Sequence, residues 1–219
     1  MKKYLLLALL PLTAMAAPSL KGFEKTYQNW DLICDNTGTC NMAGYQEERD
    51  GSEHSVSILF TRSAGEQAPV TAQLALLPDE LGNKTAEIIL NGQSLGTIQN
   101  FSEEGNAKLS EKQTTELLTA LKGNADIEVA FGEFKEKVSD KGAAAAMLKM
   151  DEFQQRLNTP SALIRQGQEK HAVLAPQAAP KIEAVSVNNR QTTELKRGEK
   201  QFDAVLALLR KSNRTNKNS

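Results

Sequence analysis

Trp30-Asp31-Leu32-Ile33-Cys34-Asp35-Asn36-Thr37-Gly38-Thr39-Cys40-Asn41-Met42-Ala43-Gly44-Tyr45 is the stretch on which the fold turns. Trp30, Leu32 and Cys34 fall on one face at a period of two, the spacing of a half-buried strand. Cys40 to Tyr45 reads as its return partner. Between them Asn36-Thr37-Gly38 is a tight-turn sequence that brings the two strands together. An early strand pair of this kind, followed by further alternating segments, predicts an α+β fold: mostly antiparallel β-sheet, sandwich-like, with two helices.

Working outward, Val56 to Arg62 alternates with Val56, Ile58 and Phe60 inward, and Ser63-Ala64-Gly65 ends it. A strand is expected over Thr71 to Leu77, stopped by Pro78-Asp79. Another is expected over Ala86 to Leu90. Asn91-Gly92 then gives the strongest hairpin signal in the chain, because both residues tolerate positive φ, and Gln93 to Ile98 is the return strand. Ser110 with Gln113 makes a capping-box pattern before Leu117, Leu118 and Leu121, with Gly123 as the stop. Asp126 to Phe131 alternates again. A second helix is expected from near Ser139 through an alanine-rich run to Asn158-Thr159-Pro160. Ala146, Met150, Phe153 and Leu157 lie on one face of it and read as core.

The two ends of the chain differ from this body. Met1-Lys2-Lys3, an apolar run from Tyr4 to Thr13 and Ala14-Met15-Ala16 form a secretory signal pattern, with cleavage expected after Ala16. The apolar run is far shorter than the roughly twenty residues a membrane helix needs. After Gln168 the composition shifts. Residues 171–184 carry Pro176 and Pro180 among alanines and read as a linker, Phe202 to Leu209 as a short amphipathic helix, and residues 210–219 as a disordered end. The expected organisation is a signal peptide over 1–16, a β-rich exported domain over 17–170, and a Pro/Ala linker with a basic, disordered tail over 171–219. Residues 17–189 hold 16 Lys/Arg against 24 Asp/Glu, whereas residues 190–219 hold 8 against 3. An acidic body argues against nucleic acid as a partner, since phosphate binding needs clustered cations. The basic tail suits at most a weak contact with an anionic surface.

Export places the chain in an oxidising compartment, where the only two cysteines, Cys34 and Cys40, are expected to pair. Closing so short a ring is worth about 2–3 kcal/mol. A zinc site is disfavoured: the spacing is not Cys-x-x-Cys and no histidine lies nearby. No metal or cofactor is expected, and the chain has neither a Walker sequence nor a dinucleotide fingerprint. Nucleophilic catalysis needs a base within reach of a nucleophile. The only imidazoles are His54, in a polar turn, and His171, at the linker start, and both read as solvated. Asp79-Glu80, Glu103-Glu104 and Asp151-Glu152 are adjacent carboxylates that diverge on a strand or helix. Asp79-Glu80-Leu81-Gly82-Asn83 lacks the ligand spacing of a calcium loop. The candidate site is Asp151, Gln155 and Arg156 at the end of the second helix, where Asp151 and Gln155 share a face. It reads either as a hydrogen-bonded helix end anchoring the next loop or as a polar binding patch.

The Trp30…Cys34…Cys40 opening with Cys40-Asn41-Met42-Ala43-Gly44-Tyr45 is one of four quoted segments that together carry a resemblance. The others are Leu59-Phe60-Thr61-Arg62-Ser63-Ala64-Gly65, Ser139-Asp140-Lys141-Gly142-Ala143-Ala144-Ala145-Ala146-Met147-Leu148 and Met150-Asp151-Glu152-Phe153-Gln154-Gln155-Arg156. Over roughly residues 22–170 the chain resembles the bacterial exported family catalogued as domain of unknown function 1176, itself similar to the invasion-associated locus B proteins. The resemblance implies an exported β-rich domain and assigns no catalytic residue. Family members usually continue into a second, cysteine-bearing half, so a chain ending at Ser219 is expected to be either a natural short form or a truncated reading frame. The expected function is a non-enzymatic binding or envelope-associated module in the periplasm of a Gram-negative bacterium, its partner an envelope component or protein. An enzyme inhibitor and a carboxylate-dependent hydrolase are the alternatives.

Overall fold

A computed structural model describes residues 20–47, 55–77 and 85–179. They all belong to the first of two units into which the chain divides, residues 1–179; the second is residues 180–219. The signal segment, His54, Asp79-Glu80 and the tail from residue 180 lie outside the described residues.

The described chain forms ten strands and two helices, with both sheets antiparallel. The first sheet contains β1 (Phe23–Tyr27), β2 (Trp30–Cys34), β3 (Cys40–Tyr45), β4 (Val56–Arg62), β5 (Val70–Leu76) and β8 (Asn106–Lys108), in the order β1-β2-β3-β4-β5-β8. The second contains β6 (Ala86–Leu90), β7 (Gln93–Ile98), β9 (Ile127–Phe131) and β10 (Phe134–Val138), in the order β10-β9-β6-β7. A bridge between Gln46 and Val138 joins the sheets. Inward residues of both sheets meet in one hydrophobic core, to which α1 (Glu111–Ala120) contributes Leu117 and Leu118, and α2 (Ala143–Phe153) contributes Met147 and Met150. The methionine-bearing face of α2 is thus core, packed against β1, β2 and β3.

Trp30 ties the first sheet to the entry of α2. It is fully buried, stacks on Phe60 at 6.0 Å between ring centroids, and donates from Nε1 to the Ser139 carbonyl at 2.8 Å. Its cross-strand partner is Gly44, and a Cβ built on Gly44 would lie 2.3 Å from the indole ring. The large ring occupies the space that a side chain at position 44 would need. Two backbone bonds, Asn29 N–H to Lys141 O and Ser139 N–H to Tyr45 O, fasten the same junction.

The Cys34–Cys40 disulfide is formed, and it joins a directly paired cross-strand couple. The turn it closes is organised by Asp35. Its Oδ1 accepts from the Thr37 hydroxyl at 2.6 Å and from the N–H groups of Thr37 and Thr39. Burial pushes this carboxyl up, but its hydrogen bonds outweigh burial and hold it below the ordinary 3.8.

The capping box at Ser110 and Gln113 is present with both reciprocal bonds. The second helix is shorter than the sequence expectation at both ends. Ser139 and Asp140 are committed elsewhere: the Ser139 carbonyl to Trp30, the Asp140 carboxylate to Ala125 N–H at 2.9 Å. Gly142 stands in the left-handed region at φ 99°, so the helix begins only at Ala143. At the other end Gln155 is left-handed at φ 56°, which turns the chain out of the helix before Leu157 can join the buried stripe.

Replacing Trp30 by Ala is expected to cost about 3–5 kcal/mol, the range for emptying a buried aromatic site. Urea unfolding followed by far-UV circular dichroism measures it, and a loss below about 1 kcal/mol would contradict the junction role. Asp35 makes a pH-dependent contribution. Because folding lowers its pKa, its stabilisation is complete above 3.8 and is lost as pH falls through the folded value. Wild type and Asp35→Asn should therefore differ in unfolding free energy at neutral pH and converge in acid; a gap that stays constant would refute this.

Candidate functional site

Three side chains from separate elements meet at one end of the body. Arg62 is the last residue of β4, continuing the inward series Val56, Ile58, Phe60. Asp151 sits in the last turn of α2, and Arg156 follows where the chain has left the helix. All three are buried, and Asp151 and Arg156 are fully so. Buried charge persists only where partners replace the lost water, and here the partners are mostly backbone. Asp151 Oδ2 accepts from Leu163 N–H at 2.7 Å and Ile164 N–H at 2.9 Å. Arg62 donates to the carbonyls of Ala68 and Ser161. Arg156 donates to the carbonyls of Gly65 and Glu66, to the Ser161 hydroxyl and to Gln154 Oε1. Gln154, also fully buried, donates to the carbonyls of Gly38 and Arg62, both at 2.9 Å.

Arg62 Nη1 and Asp151 Oδ1 face each other at 3.6 Å. Neither atom makes a hydrogen bond among the described residues. Burial, and then the Arg156 guanidinium, pull Arg62 down to about 10, while Asp151 opposes them. Burial likewise lowers Arg156. Burial pushes Asp151 up, against the two loop N–H bonds and both guanidiniums. With Asp151 ionised, two cations surround one anion, and backbone carbonyls take up the excess.

Segments that this network ties together line a surface cleft of about 700 Å³. Glu66 and Gln67, from the turn between β4 and β5, line one side. Thr159 to Ser161 and Glu169 to Val173 line the other. Arg156 holds the two sides together, since it binds Glu66 and Gly65 carbonyls as well as Ser161. At the rim His171 directs Nδ1 to Glu169 Oε2 at 3.3 Å and Nε2 to the Gln155 carbonyl at 2.9 Å. The Ser161 and Thr159 hydroxyls bond one another at 3.0 Å.

The three residues singled out in the sequence are therefore not gathered on one surface. Asp151 and Arg156 are interior, Asp151 anchoring the loop at Leu163 and Ile164. Gln155 is exposed and turned away from them by its left-handed backbone. Glu152 is exposed while Asp151 is buried, so that adjacent pair diverges, and Glu103 and Glu104 are both exposed. Arg62, Gln154, Ser161 and Glu66 were missed. One signal was available: an arginine in the fourth inward position of an otherwise apolar strand demands a buried partner. Among the described residues no cluster of three or more His, Cys, Asp or Glu side chains is placed to hold a metal ion.

Fold and site together define a two-sheet, disulfide-closed domain whose cleft is framed by buried arginines. The chain belongs to the family described as protein of unknown function DUF1176, whose model matches residues 24–218 and so runs well past residue 170. Searches of curated proteins and of solved structures found no match.

Replacing Asp151 by Ala would leave the Arg62 guanidinium buried without a counter-charge and Arg156 with only the exposed Glu66, at an expected cost of about 3–5 kcal/mol. Asp151→Asn, which keeps an acceptor for the loop N–H groups, separates the charge from the hydrogen bonds. Urea denaturation of both variants tests this; an Asp151→Ala protein as stable as wild type would show that the carboxylate frames nothing.

Proposed function

We propose that the protein is exported by residues 1–16, with cleavage after Ala16, and works in the Gram-negative periplasm as a non-catalytic binding module. Its ligand enters the cleft between Glu66-Gln67 and the segment from Thr159 to Val173. The observation that carries this reading is the way the cleft is built. Both sides are hydrogen-bonded to one buried guanidinium, Arg156, so the shape is pre-formed, as ligand sites usually are. The formed Cys34–Cys40 bond supports an oxidising compartment. We also propose kinship of this family with the invasion-associated locus B proteins, which would suit an exported setting. Engagement of both His171 ring nitrogens leaves the imidazole poorly placed to activate a hydroxyl.

A second reading is favoured by one observation: Glu66 and Glu169 line the same cleft. Paired carboxylates across a cleft are the groups a carboxylate-dependent hydrolase uses.

Photo-crosslinking in intact cells tests the binding reading. A photoreactive residue at Gln67 or Val173 should capture an envelope component, and one at Lys112, on α1, should not. Equal capture at all three positions would remove the cleft from consideration. Under the hydrolase reading, Glu169→Gln would retain capture while abolishing turnover of the captured ligand. Mass spectrometry after alkylation, without reductant, tests compartment: protein recovered from the periplasm should carry no alkylated cysteine. Absence of the protein from the periplasmic fraction would refute the export reading, and two alkylated thiols there would refute the disulfide.

A further inference from the structure

Residues 171–177, expected to open a linker, run against the body, and their attachments converge on the disulfide-closed turn. Gln177 N–H donates to the Thr37 carbonyl at 3.0 Å. The Leu174 side chain lies over Gly38, so closely that a Cβ built there would stand 3.0 Å from Leu174 Cδ2. Leu174 N–H donates to the carbonyl of Gln154, whose side chain itself donates to the Gly38 carbonyl. The Leu174 carbonyl in turn accepts from Gly65 N–H at 2.9 Å, and Pro176 packs over Gly65. Thr37 and Gly38 are both inside the ring closed by Cys34 and Cys40. Immediately upstream on the same segment, His171, Ala172 and Val173 line the cleft.

We propose that residues 171–177 are a strap latched onto the disulfide-closed turn, and that Cys34–Cys40, through this latch, holds one wall of the cleft in place. The proposal rests on the binding reading for the cleft's use, but not for the strap itself. The physical reason is one of local stability. Ala172, Ala175 and Pro176 are exposed and only Val173, Leu174 and Gln177 are half-buried. A segment with so little buried surface opens at far lower cost than the strands beneath it, and its protection depends on a few fixed acceptors. One of those acceptors, Thr37 O, belongs to a turn whose freedom the disulfide limits, and the other, Gln154 O, belongs to a residue whose side chain is bonded to Gly38 O of the same turn. Cleaving the bond by exchange with a dithiol gives two protein thiols and one disulfide on the reagent. It frees the turn and with it the seat of the strap.

Amide hydrogen exchange on the full mature chain tests the latch, comparing wild type with Cys34→Ser/Cys40→Ser. The amides of Leu174, Gln177 and Gly65 should exchange at least about tenfold faster in the variant, while the sheet amides of Met42 and Phe60 keep their protection. Unchanged exchange at Leu174 and Gln177 would overturn the proposal. So would a uniform loss of protection across strap and sheet, because the bond would then serve the whole body. Leu174→Ser guards against a double variant that fails to fold: with the disulfide intact it should free the same amides selectively, and the emission of buried Trp30 reports that the body is intact. Protection at Gln177 that survives Leu174→Ser would also overturn the latch. No ligand enters these measurements, so a failed cleft reading leaves their outcome unaffected, and a failed latch leaves the crosslinking result standing.

Discussion

Burying Asp151 between two arginines constrains everything at this end of the molecule. A carboxylate with no access to water must find donors, and a guanidinium in the interior must find acceptors. Asp151 finds two N–H groups in the loop at residues 163–164 and one guanidinium at 3.6 Å. The arginines find carbonyls in the β4–β5 turn and at Ser161. Segments without regular secondary structure are thereby held in place by charge as well as by the apolar packing of Ala162, Leu163 and Ile164. Replacing the whole charged group of Arg62, Asp151 and Arg156 with well-packed apolar residues could leave the core as stable, but the loops would then lose their hydrogen-bonded anchors.

What was legible in the sequence follows from which residues carry the burial signal. β2, β3 and β4 were readable because Trp30, Leu32, Met42, Val56, Ile58 and Phe60 alternate without interruption. The capping box at Ser110 and Gln113 and the turn at Asn91-Gly92 were readable because their chemistry is local. β1, β8 and β10 were not. β1 places Lys25 at the inward register opposite Leu32, β8 has only Ala107 to bury, and β10 reads Phe-Lys-Glu-Lys-Val. Each lies at a sheet edge, where one neighbour suffices and the apolar alternation is no longer required. The site was the least legible part. Asp151 and Arg156 stood out as polar residues at a helix end, but their burial depends on loops whose path no local pattern specifies.

The disulfide and the tryptophan do related work from opposite ends of β2. Trp30 closes one end by reaching Ser139, over a hundred residues away in the chain, and Cys34 closes the other by pairing with Cys40. One strand therefore carries both the long-range fastening to α2 and the short ring that receives Gln154.

The charged edge strands have a consequence for how the molecule behaves among its own copies. An edge strand offers unpaired N–H and C=O groups to any chain that arrives. On β1 the Lys25 ammonium lies over the Tyr27 ring, while that of Lys149 covers Phe23. On β10, Lys135 and Lys137 pair with Glu128 and Asp126. A strand added at β1 would have to displace or desolvate these charges, and one added at β10 would also have to displace Gln46 and Glu47 from Val138 and Lys137. The residues that hid β1 and β10 from pattern reading are thus the ones that discourage sheet-to-sheet growth, and colloidal behaviour is written into the same positions.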